Sequence, residues 1–319
     1  MTSSPDSFTS MSKRSNSEKF FDLTFFGLTR ALAIAIGLIL LAIALVVFIE
    51  AIPAIKTFKL NFIFTSQWNP VTQIFGAWPV IYGTIVSAII SLVIAIPLGV
   101  GTAIFLSENF IPKKLRTVLT FMVELLAAVP SVVYGLWGIY VLIPFLYPID
   151  LWLNQKLGWF PLFNTVPSQG SGFMFAAGLI LAIMILPIIT AISRDSLASL
   201  PPELRQASLG LGATRWETII KVLIPAAFSG IVGGIMLGLG RAMGETMAVT
   251  MVIGNSPTVS ASIFAPSYTI SSLLANQFAE ASGLQISSLM YAGLILMILT
   301  LIVNILADLI VGRIKAKYD

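Results

Sequence analysis

Cysteine and histidine are both missing from this chain of 319 residues. Their absence removes disulfides, thiolate chemistry, imidazole metal ligands and the histidine proton relay together. No metal site and no catalytic residue is therefore expected. A GxxxxGKS/T phosphate loop is missing as well, so the chain is expected to carry no cofactor, and nucleotide-derived energy has to come from another chain. Charge is scarce, with 10% Asp, Glu, Lys and Arg against 57% hydrophobic residues and a mean hydropathy of +0.96. That composition exceeds what a soluble core can hide and reads as an all-α integral membrane protein.

The apolar residues fall into six runs, 31–49, 80–106, 118–146, 173–192, 225–254 and 289–311, each long enough for a span. Residues 1–30 begin with a Ser/Thr-rich stretch and are expected to form a disordered tail; 31–49 is expected to be an anchor helix rather than a removable signal peptide. The net charge of +4 raises nucleic-acid binding as a possibility, but the basic residues alternate with the spans. One side collects Lys13, Arg14, Lys19 and Arg30, then Lys113, Lys114 and Arg116, then Arg194, Arg205, Arg215 and Lys221, then Arg313, Lys315 and Lys317. The other side has Lys56, Lys59 and Lys156, with Trp68, Trp78, Trp152 and Trp159 at headgroup level. This is the positive-inside pattern of a cell-membrane protein with both termini in the cytoplasm, and nucleic acid is excluded as a partner. Pro97, Pro130 and Pro187 predict kinked spans. Pro130 and Ser131, among small residues in AAVPSVVYG, are candidates to line a substrate pathway.

The fifth run holds Arg241 and Glu245 four residues apart. An ionised group near the bilayer centre costs ~2.5–3.5 kcal/mol even on the lenient insertion scale, so such a pair needs a reason. Read as one helix over 225–254, Gly230, Gly234, Gly238, Arg241, Glu245 and Ala248 share a side, opposite a bulky apolar one. The small-xxx-small repeat Gly230, Gly234, Gly238 predicts close helix packing. Two readings of the charged pair stand: a clamp between helices, or a gate in which the guanidinium meets an anion and the carboxylate tempers its hold. Glu124 is expected in the first turns of the third span, where a carboxylate is tolerated, and Asp308 reads as an interfacial anchor near Arg313.

The connection 194–224 is no passive linker. Pro201 and Pro202 open a helix, ELRQASLGLG carries it to a glycine, and Thr214 with Glu217 forms a capping box that opens a second helix. The run QASLGLGATRWETIIKVLIP resembles the EAA coupling loop of binding-protein-dependent ABC importer permeases. Gln206, Ala207 and Ser208 stand at the triplet, Gly212 at the family's glycine and Pro225 at its closing proline, with Gln206 departing from the family's glutamate. Residues 75–108, AAVPSVVYGLWG and LGLGRAMGETMAVTMVIGN are similar to the phosphate-specific transport permeases, RAMGETMAV being closer to the PstC type than to PstA.

The resemblance implies a type I, MetI-like permease core over 75–312 with an extra N-terminal helix. It further implies a PstA-like second permease, a PstB-like ATPase dimer that binds ATP and magnesium, and a periplasmic PstS-like phosphate-binding protein. Arg241 and Glu245 would act in phosphate passage, and Gln206 to Gly212 would dock on the ATPase. The rivals keep the machine and change the cargo to sulfate or molybdate, or replace it with an ion-coupled secondary anion carrier.

Overall fold

The computed structural model describes residues 16–318 apart from 109, 167 and 169. The chain divides into two compact units, residues 1–49 and 50–319. The first is the N-terminal part of helix α1 (Asn16–Phe58), apolar on every side, with side chains such as Phe26, Ile36 and Leu40 exposed. A helix apolar all round and unburied is suited to lipid. Helix already covers residues 16–30, where a disordered tail was expected, and continues past 49; the remainder of that tail, 1–15, lies outside the described residues. Hydropathy marks the stretch that suits a bilayer, whereas helical hydrogen bonding runs on through the polar flanks.

In the second unit, short α2 (Asn61–Phe64) and a two-stranded ribbon, β1 (Trp68–Asn69) and β2 (Ile74–Phe75), lead to α3 (Trp78–Ser107). There follow α4 (Lys113–Ala128), α5 (Ser131–Trp137), a π-helical turn at Gly138–Leu142, α6 (Ile143–Leu157) and α7 (Met174–Ala198). After α7 come α8 (Pro202–Gly210), α9 (Arg215–Thr218), a second π turn at Ile219–Leu223, α10 (Ile224–Ala226), α11 (Phe228–Gly244) and α12 (Met247–Val252), then α13 (Ile270–Gln277) and α14 (Leu284–Tyr318).

The third run is not one span. Val129 is extended, as the residue before a proline prefers, so the chain breaks between α4 and α5 and the span runs instead from Ser131 to Leu157. The Tyr134 hydroxyl donates to the Leu126 carbonyl at 2.8 Å, satisfying an acceptor freed by that break. α4 buries none of its residues in this chain; its exposed apolar side, with Val118, Phe121 and Met122, made the two helices look continuous. Among the described residues five helices are long and apolar enough to cross a membrane, and a sixth crossing exists if the segments Arg215–Ala226 and Phe228–Gly244, bent by 70°, count together.

The core centres on α7. Ile180, Ile185 and Ile189 are fully buried against Tyr134, Leu142 and Ile143 of the third span and Val249, Val252 and Ile253. A second cluster joins the end of α1 to α13 and α14, with the rings of Phe62 and Tyr291 stacked at 4.5 Å. The Thr84 hydroxyl accepts from the backbone N–H of Ile270 at 2.9 Å, fastening α13 to α3.

Candidate functional site

The glycine stripe of α11 does what its spacing predicts. Gly230, Gly234 and Gly238 face Ser196, Ile192, Ile189 and Ile185 of α7 so closely that an added Cβ would press on them. With that side committed to packing, Gly233, Leu237, Gly240 and Arg241 are left on the exposed side of the helix. Arg241 therefore does not share the packed side on which the single-helix reading placed it.

That reading fails at a second point. α11 ends at Gly244, and Glu245 is extended, with φ −66° and ψ 127°. The five glycines between 233 and 244 make this a weak helix, and the break is supplied with partners: Ser271 Oγ donates to the Met243 carbonyl at 3.0 Å, and Thr246 Oγ1 to Gly244 at 3.2 Å. Glu245 Oε1 accepts from the Ala248 N–H at 3.4 Å at the start of α12. Arg241 and Glu245 thus lie on either side of a helix break, and no ion pair joins them among the described residues. Helix α11 also starts only at Phe228; Pro225 lies before the 70° bend, in α10.

Arg241 opens onto a cavity of about 520 Å³ between α11 and α14, lined by Met236, Leu237, Gly240, Arg241, Asn304 and Asp308. Pro130 and Ser131 are not among its lining; Pro130 precedes the first residue of α5, and Ser131 is half-buried. Tyr134, one turn further along, is within electrostatic reach of Arg241, and Gly135 is close to Ala248 and Met251 of α12.

The connection 194–224 forms a hairpin. α8 stops at Gly210, and Gly212 takes a left-handed conformation, φ +87°, that a residue with a Cβ rarely adopts. Thr214 and Glu217 complete a capping box: the Thr214 N–H donates to Glu217 Oε2 at 3.0 Å, and the Glu217 N–H to Thr214 Oγ1 at 3.2 Å. The hydroxyls of Ser208 and Thr218 bridge the two arms at 2.9 Å. Gln206 and Ala207 are exposed, and so are the apolar Leu209, Leu211 and Trp216. The second arm is not one helix but α9, a π turn and α10.

Three features escaped the sequence reading. Arg205 donates to Glu108 Oε1 at 3.0 and 3.1 Å and to the Leu197 carbonyl at 2.9 Å, pinning α8 to the ends of α3 and α7. Glu124 belongs to the later turns of α4, outside any span, and pairs with Arg194 at 3.4 Å. Asp150 is fully buried in α6 with no hydrogen-bond partner among the described residues on either carboxylate oxygen. Each depends on a contact or an enclosure made by residues distant in sequence, which no local pattern announces.

Residues 95–317 match the family described as binding-protein-dependent transport system inner membrane component. The chain belongs to this permease family. Similar over nearly its whole length are the phosphate transport system permease proteins PstC of Mesorhizobium japonicum, 44% identical and covering 93% of this chain and 91% of that one, and of Pasteurella multocida, 43% identical with 93% of each covered. A probable PstC of Methanocaldococcus jannaschii is 38% identical, over 81% of this chain and 84% of that one. Among solved structures, a bacterial alginate ABC transporter in complex with an alginate-bound periplasmic protein shares the fold with a TM-score of 0.61 at 16% identity, covering 92% of this chain and 97% of that one. The inward-facing MetNI methionine ABC transporter does so at 0.53 and 20% identity, over 78% and 99%. Like other permeases of the family, the chain is a multi-pass inner-membrane transport subunit rather than an enzyme; it works with a binding protein and with a separate ATPase that hydrolyses the ATP.

Proposed function

We propose that this chain is the PstC-type half of a heterodimeric channel that imports inorganic phosphate. A PstA-like permease completes the channel, a PstB-like ATPase pair binds ATP and magnesium, and a periplasmic PstS-like protein delivers the anion. Both termini and the hairpin lie in the cytoplasm. The observation that carries the reading is Arg241: a guanidinium without an ion-pair partner among the described residues, at a glycine-rich helix end, open to a cavity in a permease whose curated relatives are named for phosphate transport. A cation not closed into an ion pair is ready for a mobile anion, and because affinity resides in the delivering protein, a weak internal contact suffices. The exposed Gln206, Ala207, Leu209 and Leu211 give the ATPase a surface to push, and Pro225 stands at the bend through which that push reaches α11. ATP binding then favours one arrangement of the spans over the other, as a conformational switch requires.

Uptake into cells whose membrane is uncoupled while ATP is kept high tests the energy source. Phosphate uptake is expected to continue at close to the coupled rate. Uptake that stops with the ion gradient would make the chain a secondary carrier and overturn the reading.

A further inference from the structure

The cavity that receives Arg241 also receives a carboxylate and an amide. Asn304 and Asp308 stand one helical turn apart on α14 and face α11 across the same space. Arg241 and Asp308 share the cavity without closing into a salt bridge among the described residues. Two opposite charges placed only to neutralise each other would close the gap between them; here it stays open. At about 520 Å³, against about 30 Å³ for a water molecule in the liquid, the gap accommodates a tetrahedral anion with part of its water.

The three side chains differ in what they offer. A guanidinium only donates, an ionised carboxylate only accepts, and an amide does both. At neutral pH inorganic phosphate carries at least one P–OH alongside its unprotonated oxygens, and arsenate does the same. Sulfate and molybdate carry none. A protonated tetrahedral oxyanion therefore presents acceptors to Arg241 and a donor to Asp308. A fully deprotonated one meets Asp308 as a like charge with no hydrogen between them, a repulsive element of the kind that specificity requires. We infer that Asp308, supported by Asn304, is a specificity-determining group of the passage, admitting oxyanions that carry an O–H and rejecting those that do not. The inference rests on the reading of Arg241 as the pathway cation.

The test uses the assembled importer carrying Leu237→Cys. The chain has no cysteine of its own, and Leu237 is an exposed part of the cavity wall. Labelling of that thiol on this chain by a neutral maleimide is timed with phosphate, arsenate or sulfate at equal ionic strength and pH. Phosphate and arsenate are expected to slow labelling at concentrations at least about tenfold below those that sulfate needs, the scale of one hydrogen bond to a charged group. Asp308→Asn should bring phosphate and sulfate to within about twofold of each other, and Asp308→Glu, which keeps the acceptor, should restore most of the preference. Equal protection by sulfate in the parent, or an unchanged preference in Asp308→Asn, overturns the inference. Arg241→Gln in the same background separates the two readings. If it abolishes protection while Asp308→Asn leaves the preference intact, only the role of Asp308 falls. If protection survives it, or if no anion protects the parent, the pathway reading falls as well.

Discussion

At the scale of the residue, the charged groups near the break in α11 divide their work. Glu245 accepts from the Ala248 N–H beside the start of α12, whereas Arg241 opens onto the cavity that the proposed function makes the anion path. Arg241→Gln is expected to lower phosphate uptake per assembled complex by at least tenfold, about 1.4 kcal/mol of lost stabilisation, with assembly intact. Glu245→Gln keeps an oxygen for Ala248 and removes the charge, so it should assemble normally and turn over more slowly, because an untempered guanidinium holds the anion longer. Glu245→Ala also removes the acceptor of the Ala248 N–H, and should assemble less well. The Arg241→Gln, Glu245→Gln double variant decides: near-normal uptake there would reduce the two residues to structural roles. Arg241 stood out in the sequence because a charge inside an apolar run is conspicuous. The residues that share its cavity did not. Asn304 and Asp308 lie more than sixty residues further on, and Asp308, close to Arg313, resembles an ordinary interfacial anchor until the fold places it on the same cavity as Arg241.

Elements tell the same story through their ends. The capping box at Thr214 and the glycine at 212 were readable because caps and left-handed turns are set within a few residues. The breaks at Val129 and Glu245 were not, since apolar character continues across them and only the partners of the freed carbonyls, Tyr134 for Leu126 and Ser271 for Met243, make a break stable. Gly212 turns this into a prediction. Nothing lies within 4 Å of a Cβ built there, so the obstacle to a side chain is the φ of +87° and not space. Gly212→Val should strain the hairpin by about 1–3 kcal/mol while insertion of the spans stays normal, and substrate-stimulated ATP hydrolysis and uptake should fall together. Gly212→Asn, whose side chain tolerates this conformation better, should recover much of both. Full coupling in a well-expressed Gly212→Val would show that the turn does not transmit force.

For the whole molecule the open question is parity. Among the described residues five helices are long and apolar enough to span, and the sixth crossing depends on whether the bent pair ending at Gly244 traverses the bilayer or re-enters. The alternatives differ for everything that follows. If the pair crosses, residues 245–283 lie outside and the end of α14 inside; if it re-enters, both change sides. Basic charge favours crossing, because re-entry would place Arg313, Lys315 and Lys317 outside, against the positive-inside pattern. The shift of the third span to 131–157 leaves that balance intact, since Lys113, Lys114 and Arg116 stay in the same connection, at the start of α4. In a chain without cysteine, single cysteines report side directly. Those at Ser168 and Ser282, both exposed, should react with an impermeant maleimide on intact cells, and those at Leu211 and position 318 only after the membrane is opened. Labelling of Ser168 from outside together with Ser282 from inside would make the bent pair a re-entrant loop and leave five crossings, with Arg241 reached from the cytoplasmic side alone.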